Sequence, residues 1–172
     1  PQPAHVRLQP ARRYPRQLWP FFQQHRHPAI NPRLDARGSG DHLPEGPEPE
    51  MLVAGNRGAA LESIAELITR WKKEGLCRPD EVLILHKESN VTASVLGDTR
   101  VLAGHNLRDV REDAPGAIRH TSVNKAKGLD ARAVILVGCG PPSPEATSDF
   151  DAYTWFMGVS RARQLLGVVG ER

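Results

Sequence analysis

The chain is poor in several residue types that would announce a function. It has two cysteines, Cys77 and Cys139, far apart in 172 residues. That excludes a disulfide framework or a cysteine metal cluster and points to buried thiols in a reducing, cytoplasmic setting. His25 and His27 lie two apart without further ligands at metal spacing, so no metal site is expected. No apolar run approaches the ~20 residues of a membrane-crossing helix, and no signal peptide is visible, so a soluble, intracellular protein is expected, with no membrane partner. There is no Gly-Lys pair, hence no G-x-x-x-x-G-K-[ST] loop, and no apolar strand ends in Asp-Glu. The chain alone therefore lacks the residues that cradle a nucleoside triphosphate and its magnesium. Gly138-Cys139-Gly140 is a lone G-x-G followed by two prolines, which reads as a loop.

Acidic residues are scarce at the start. Residues 1–37 contain seven arginines and one acid, whereas Asp41 to Glu50 contains four acids and neither lysine nor arginine. Ten of the 15 prolines fall in the first fifty residues, where fixed φ angles and missing amide donors oppose regular structure. Residues 1–45 thus read as an irregular arm, which Trp19, Phe21 and Phe22 could dock on a core, and residues 46–172 as one packed domain. A composition of 39% hydrophobic and 25% charged residues suits a single core. The net charge of +3 is compatible with an anionic partner without requiring one. The opening on Pro1 rather than Met points to a longer parent chain.

Beyond the acidic seam the pattern alternates strand and helix. Met51 to Ala54 is a short apolar run ending at Gly55. From Ala59 to Lys73 the residues Leu61, Ile64, Leu67, Ile68 and Trp71 recur at helical steps, and Gly75 is placed to end the helix. Val82 to Leu85 reads as a buried strand, which makes β, α, β and favours a parallel crossover. Weaker signals follow: a helical turn over Val91 to Leu96, a short strand over Arg100 to Ala103, and a polar loop over Asn106 to Gly116. Strands are then expected at Ile118 to Val123, Ala133 to Gly138 and Leu165 to Val169. Asp151 is placed to cap a helix running to about Arg163, with Ala152, Trp155, Phe156 and Val159 inward. The sum is an α/β fold, a three-layer, mostly parallel sheet with helices on both faces.

Two segments carry chemistry: SVNKAKGLDARAVIL from Ser122 and FMGVSRAR from Phe156. Each joins a polar, basic turn to an apolar strand, the way a parallel sheet presents phosphate-binding groups at strand ends, and together they point to one nucleotide-handling edge. The first resembles motif V (T-x-H-x-x-K-G-L-E-F) and the second motif VI (Y-V-G-x-T-R-A-R) of the second motor domain of UvrD/Rep-type superfamily 1 DNA helicases. The resemblance covers residues 46 to 172 and implies a RecA-like, P-loop NTPase-like fold.

It also implies roles. Arg161 matches the arginine that reaches the γ-phosphate of ATP bound between two motor domains, a task suited to a permanently charged, forked donor. On a shared helix Arg163 would project about 200° away and be a structural or surface residue. Asp130 takes the place of a ribose-binding glutamate, one methylene shorter. Gly128 and Gly158 match motif glycines near the nucleotide, and Lys127 is either a phosphate contact or a sheet-edge charge. Ser122 and Asn124 stand at the threonine and histidine near the single-stranded DNA track, and both retain hydrogen-bonding capacity. His25 and Arg26, within Gln24 to His27, stand nearest to motif IV (N-Y-R-S), where a ring stacks on adenine and an arginine meets phosphate. Pro20, Pro28 and Pro32 depart from the helix expected after it. The accessory subdomain that such helicases insert before motif V has no room between His86 and Ile118.

The resemblance thus implies the trailing motor domain of an ATP-dependent DNA helicase or translocase, of a kind serving DNA repair. ATP and Mg2+ would bind only together with a first motor domain of the same parent protein, and single-stranded DNA would be the other partner. The isolated chain would be inactive. The alternatives are a helicase-derived nucleic-acid- or protein-binding module without ATPase activity, and a small nucleotide-binding α/β protein of another lineage.

Overall fold

The computed structural model describes residues 47–142 and 148–171. The arm over residues 1–45, with His25 and Arg26, lies outside them. Seven strands form one sheet: β1 Glu50–Ala54, β2 Val82–His86, β3 Val101–Leu102, β4 His105–Asp109, β5 Ile118–Ser122, β6 Ala131–Val137 and β7 Ala162–Glu171. Their spatial order is β1-β7-β6-β2-β5-β4-β3. Every neighbouring pair is parallel except the β3/β4 hairpin. β1 and β2 are parallel, as the β, α, β order predicts, yet β7 and β6 separate them.

Two α-helices are found among the described residues, α1 Arg57–Lys73 and α2 Asp149–Val159. The Asn56 side chain caps α1 by accepting from the Ala59 amide at 2.9 Å. Its apolar stripe, Ile64, Leu67, Ile68 and Trp71, is at most 1% exposed. Burial of such side chains stabilises the fold by about 1.5–3 kcal/mol each. The helix ends as expected at Gly75, whose φ of 69° lets the Gly75 and Leu76 amides donate back to the Lys72 and Trp71 carbonyls.

The sheet's alternation divides its apolar side chains. Ala133, Ile135 and Val137 of β6 join the cluster containing α1, while Val134 and Leu136 join the cluster containing α2. Each helix makes its close approach at a glycine. Gly167 of β7 lies beneath Leu67 of α1, and Gly158 of α2 lies over Leu136 of β6. The architecture is mixed α/β and compatible with a RecA-like fold, though each apolar cluster receives one helix rather than the fuller helical layers expected.

Three local expectations are corrected. The stretch expected as a loop from Asn106 contains β4, an outlying strand in which Leu107 alone is buried, so its alternation is faint. A turn with positive φ at Ala103 and Gly104 folds β3 back onto it. The last helix is capped by Ser148 rather than Asp151, which occupies the first turn and receives the Ser148 hydroxyl at 3.0 Å. That helix stops at Val159 instead of continuing to Arg163, because Ser160 caps it and Ala162 already pairs with Ala131 in the sheet.

Candidate functional site

The parallel strands give the sheet two different edges, and the candidate residues divide between them. Asp130 immediately precedes β6 and Arg161 immediately precedes β7, so both stand where strands begin. The Ala131 amide donates to the Arg161 carbonyl at 3.1 Å, which locks the two positions side by side. Their side chains meet as an ion pair, Arg161 Nη1 to Asp130 Oδ1 at 3.6 Å. Arg161 is held further by its own neighbourhood: Nε donates to the Met157 carbonyl at 3.0 Å and Nη2 to Ser160 Oγ at 3.3 Å. The residue is 6% exposed. Asp130 is half-buried and Arg163 exposed.

Lys127, Gly128 and Leu129 form an exposed turn leading into Asp130. The φ of 85° at Gly128 is a left-handed conformation that a side chain would strain. Gly158, matched to the motif glycine, has its α-carbon face filled by Leu136, 2.6 Å from where a Cβ would stand, so the structure gives it a packing duty. This edge holds one guanidinium, already engaged by Met157, Ser160 and Asp130, together with one carboxylate and a glycine turn. Among the described residues no group of three or more His, Cys, Asp or Glu is arranged to hold a metal ion.

Ser122 ends β5 at the opposite edge, level with His86 of β2, which is itself level with Val137 of β6. Asp130 lies seven residues before Val137, so the two sites stand about 23 Å apart along the strands. Residues 123–130 cross between the edges, first as a short 3-10 helix, Val123–Ala126, whose Val123 and Ala126 are buried in the α2 cluster. Asn124 and Lys125 are exposed near the Ser122 end, and Lys127 and Gly128 near the Asp130 end. Arg161, Asp130 and Gly128 thus stand together on the edge where strands begin, Ser122 stands on the other, and His25 and Arg26 lie outside the described residues.

At the Ser122 edge the ends of β2, β4 and β5 border a half-open cavity of about 310 Å³, lined in part by His86, Asn90, Asp109, Arg111, Ser122 and Lys125. Ser122 is 1% exposed, and its Oγ has no hydrogen-bond partner. Lys125 Nζ donates to the Ser89 carbonyl at 3.3 Å, and Arg111 is paired with Asp109 at 2.8 Å. The Arg111 guanidinium beside it holds the Asp109 carboxyl below its usual range. His86 and His120 stack obliquely behind, ring centres 5.8 Å apart. Burial pushes both imidazoles below their ordinary value, and for His120 the neighbouring His86 adds to the shift. Sequence patterning does not single out these two histidines, Asp109 or Arg111. The available signal was His86 ending the apolar strand VLILH; His120 lies in the middle of IRHTS, a mostly polar strand that ends on Ser122.

Lys87, next after β2, pairs with Asp151 at 2.8 Å and ties the start of α2 to this edge. Cys77 and Cys139 are both buried free thiols, pushed by burial up to about 11 and about 12. Among the described residues no helix is long and apolar enough to cross a membrane.

No family model matches this chain, and no curated protein does. Among solved structures it is similar to the C-terminal domain of a possible DNA helicase from Lactobacillus plantarum WCFS1. The two share 18% identity at a TM-score of 0.66, over 92% of this chain and 86% of that one. At that identity the likeness is one of fold.

Proposed function

We propose that this chain is the second motor domain of an ATP-dependent DNA helicase or translocase of the UvrD/Rep type. It completes an ATP site at one edge of its sheet and holds single-stranded DNA at the other. The observation that carries this reading is the pairing of Asp130 with Arg161 at 3.6 Å. They are the residues that fall on the motif V acid and the motif VI arginine. They are far apart in sequence, and no periodicity requires them to meet. The fold shared with the C-terminal domain of a possible DNA helicase supports the same reading.

In this reading a first motor domain of the parent protein supplies the phosphate loop and the magnesium site, and ATP supplies the phosphoryl group and its charge. This chain contributes Arg161 as the cationic group at the rim, Asp130 and the Gly128 turn beside it, and His25 and Arg26 from the arm. Residues 123–130, which run from one edge to the other, provide a covalent path by which a change at Asp130 reaches Ser122 and Asn124. The buried free thiols are compatible with a reducing cytoplasm.

The test is a protein joining this chain to a first motor domain. Arg161→Ala should lower DNA-stimulated ATP turnover by a factor of about 10³ or more, the scale on which such arginines act. Arg163→Ala should do far less. Equal, small losses in both would sink the assignment, as would robust ATP turnover by the isolated chain.

One observation favours a second reading, a helicase-derived binding module without ATPase activity. Arg161 is 6% exposed and engaged by Met157, Ser160 and Asp130, which is how a structural clamp is built. Under that reading the joined protein binds DNA with undiminished affinity and turns over no ATP.

A further inference from the structure

The cavity at the ends of β2, β4 and β5 adds to Ser122, which the motor reading already uses, several groups that it does not. A buried hydroxyl without a partner is destabilising, and Ser122, which lines the cavity, carries one: its Oγ is covered and has no hydrogen-bond partner. Lys125, on the same wall, donates to a neutral carbonyl, and among the described residues it forms no ion pair with a carboxylate. Asn90 uses its side-chain oxygen to cap the Thr92 amide at 3.1 Å, which leaves NH2 as the donor end of that side chain. Arg111 adds a guanidinium whose charge Asp109 balances. A hydroxyl, an amide NH2 and an ammonium around one void form an acceptor-seeking set that suits a phosphate-type oxyanion.

Behind that set lie two imidazoles. His86 lines the cavity, and its Nδ1 stands 2.7 Å from the Glu88 carbonyl oxygen. A carbonyl only accepts, so this nitrogen carries the proton and a second proton would enter at Nε2. His120 touches His86 from the neighbouring strand, and its Nδ1 is buried with no partner. Glu88, Asp109 and Glu112 bear on the pair as negative charges, and Lys125 and Arg100 as positive ones. Arg111 is neutralised by Asp109. With the pair neutral, Lys125 is the cavity's uncompensated cation. One added proton brings a second beside it, and the charge of a bound oxyanion offsets the cost of keeping that proton buried.

We infer that this cavity is a proton-linked phosphate site, in which the His86–His120 pair takes up a proton when an oxyanion binds between Ser122, Asn90 and Lys125. The inference deepens the nucleic-acid reading of this edge and rests on it for the natural source of the phosphate, a nucleic-acid backbone or a free phosphate. Because the proton belongs to the pair, the two imidazoles titrate together rather than as separate sites.

Sulfate, which keeps its charge between pH 5 and 8, is the probe for the full chain. Histidine NMR should show the His86 and His120 midpoints rising when sulfate is added, and sulfate affinity should increase several-fold from pH 8 to pH 5.5, approaching tenfold only below both midpoints for a rise of about one pH unit. Lys125→Ala should weaken binding at both pH values, while Arg163→Ala, on the other edge, should leave it unchanged. A single-stranded oligonucleotide that competes with sulfate and shows the same pH dependence identifies a nucleic-acid backbone as the source. Sulfate binding without such competition leaves the proton-linked site standing and removes the nucleic-acid reading of this edge. Histidine midpoints that stay put on adding sulfate, or an affinity that is flat across this range, overturn the inference, and that measurement on the unaltered chain needs no variant to fold.

Discussion

Arg161 Nη1 lies 3.6 Å from Asp130 Oδ1, and the two residues are the last before neighbouring parallel strands. The pair therefore closes the junction where α2 hands the chain to β7 and where the crossover from β5 delivers it to β6. Whatever Arg161 does toward a ligand, it first holds this corner together.

That duty makes a stability prediction for the isolated chain. The Arg161 side chain is 8% exposed and that of Asp130 25%; removing the arginine deprives Asp130, the Met157 carbonyl and Ser160 Oγ of a donor at once, whereas asparagine at 130 keeps an oxygen that can accept from the guanidinium. Arg161→Ala should cost about 3 kcal/mol, the low end for breaking a buried pair. Asp130→Asn should cost about 1 kcal/mol. In urea unfolding the double variant should lose less than the sum of the two, because the residues share one interaction. Strict additivity would show that the pair is geometrically close and energetically idle.

The parts of this molecule legible in the sequence are those where burial imposes a period. The Ile64, Leu67, Ile68, Trp71 stripe and the runs over Val82 to Leu85 and Ala133 to Gly138 marked α1, β2 and β6 because each has a wholly apolar side to hide. β4 was hidden because an outlying strand buries little: Leu107 alone turns inward, and HNLRD reads as loop. The site divided similarly. Asp130 and Arg161 were visible through their motif spacing, whereas the His86–His120 contact depends on the β2/β5 register, which no local pattern encodes. Nor could local sequence show that Ser122 and Asp130, eight positions apart, stand at opposite edges of the sheet.

Close approach of α2 to the sheet gives a packing test. A Cβ built on Gly158 falls 2.6 Å from Leu136 Cδ1, a distance that forces the leucine or the helix to move. Gly158→Ala should destabilise the fold by about 1–3 kcal/mol despite the gain in helix propensity that alanine normally brings. Leu136→Ala in the same chain should relieve much of the clash, so thermal unfolding of the double variant should fall short of the summed losses. A neutral or stabilising Gly158→Ala would mean that α2 sits farther from β6 than described.

The turn at Gly128 offers a separate check. Its φ of 85° is left-handed, and nothing lies within 4 Å of an added Cβ, so any penalty for alanine comes from the backbone and not from crowding. Gly128→Ala should cost about 1–2 kcal/mol. Gly128→Asn should cost less, since asparagine tolerates this region better. Equal costs for the two variants would point to a contact rather than a conformational cause.

The two imidazoles also make the fold sensitive to acid. In the unfolded chain His86 and His120 titrate near 6.5, whereas burial in the fold holds both below that value. Above 6.5 neither state binds the extra protons, and the histidines contribute no pH dependence. As the pH falls below 6.5 the unfolded chain takes up protons that the folded chain refuses, so stability declines toward the depressed midpoints, by at most about 1.4 kcal/mol per pH unit for each histidine. His120→Gln should make urea-derived stability fall less steeply between pH 6.5 and 5, whatever the substitution costs at pH 8. A bound oxyanion in the neighbouring cavity should flatten the same slope in the unaltered chain, because the folded state then accepts a proton too. A decline equally steep in the variant would show that His120 does not carry the acid sensitivity, since Asp109, whose carboxyl is held below its usual value, loses its stabilising effect only below about 3.8, outside this window.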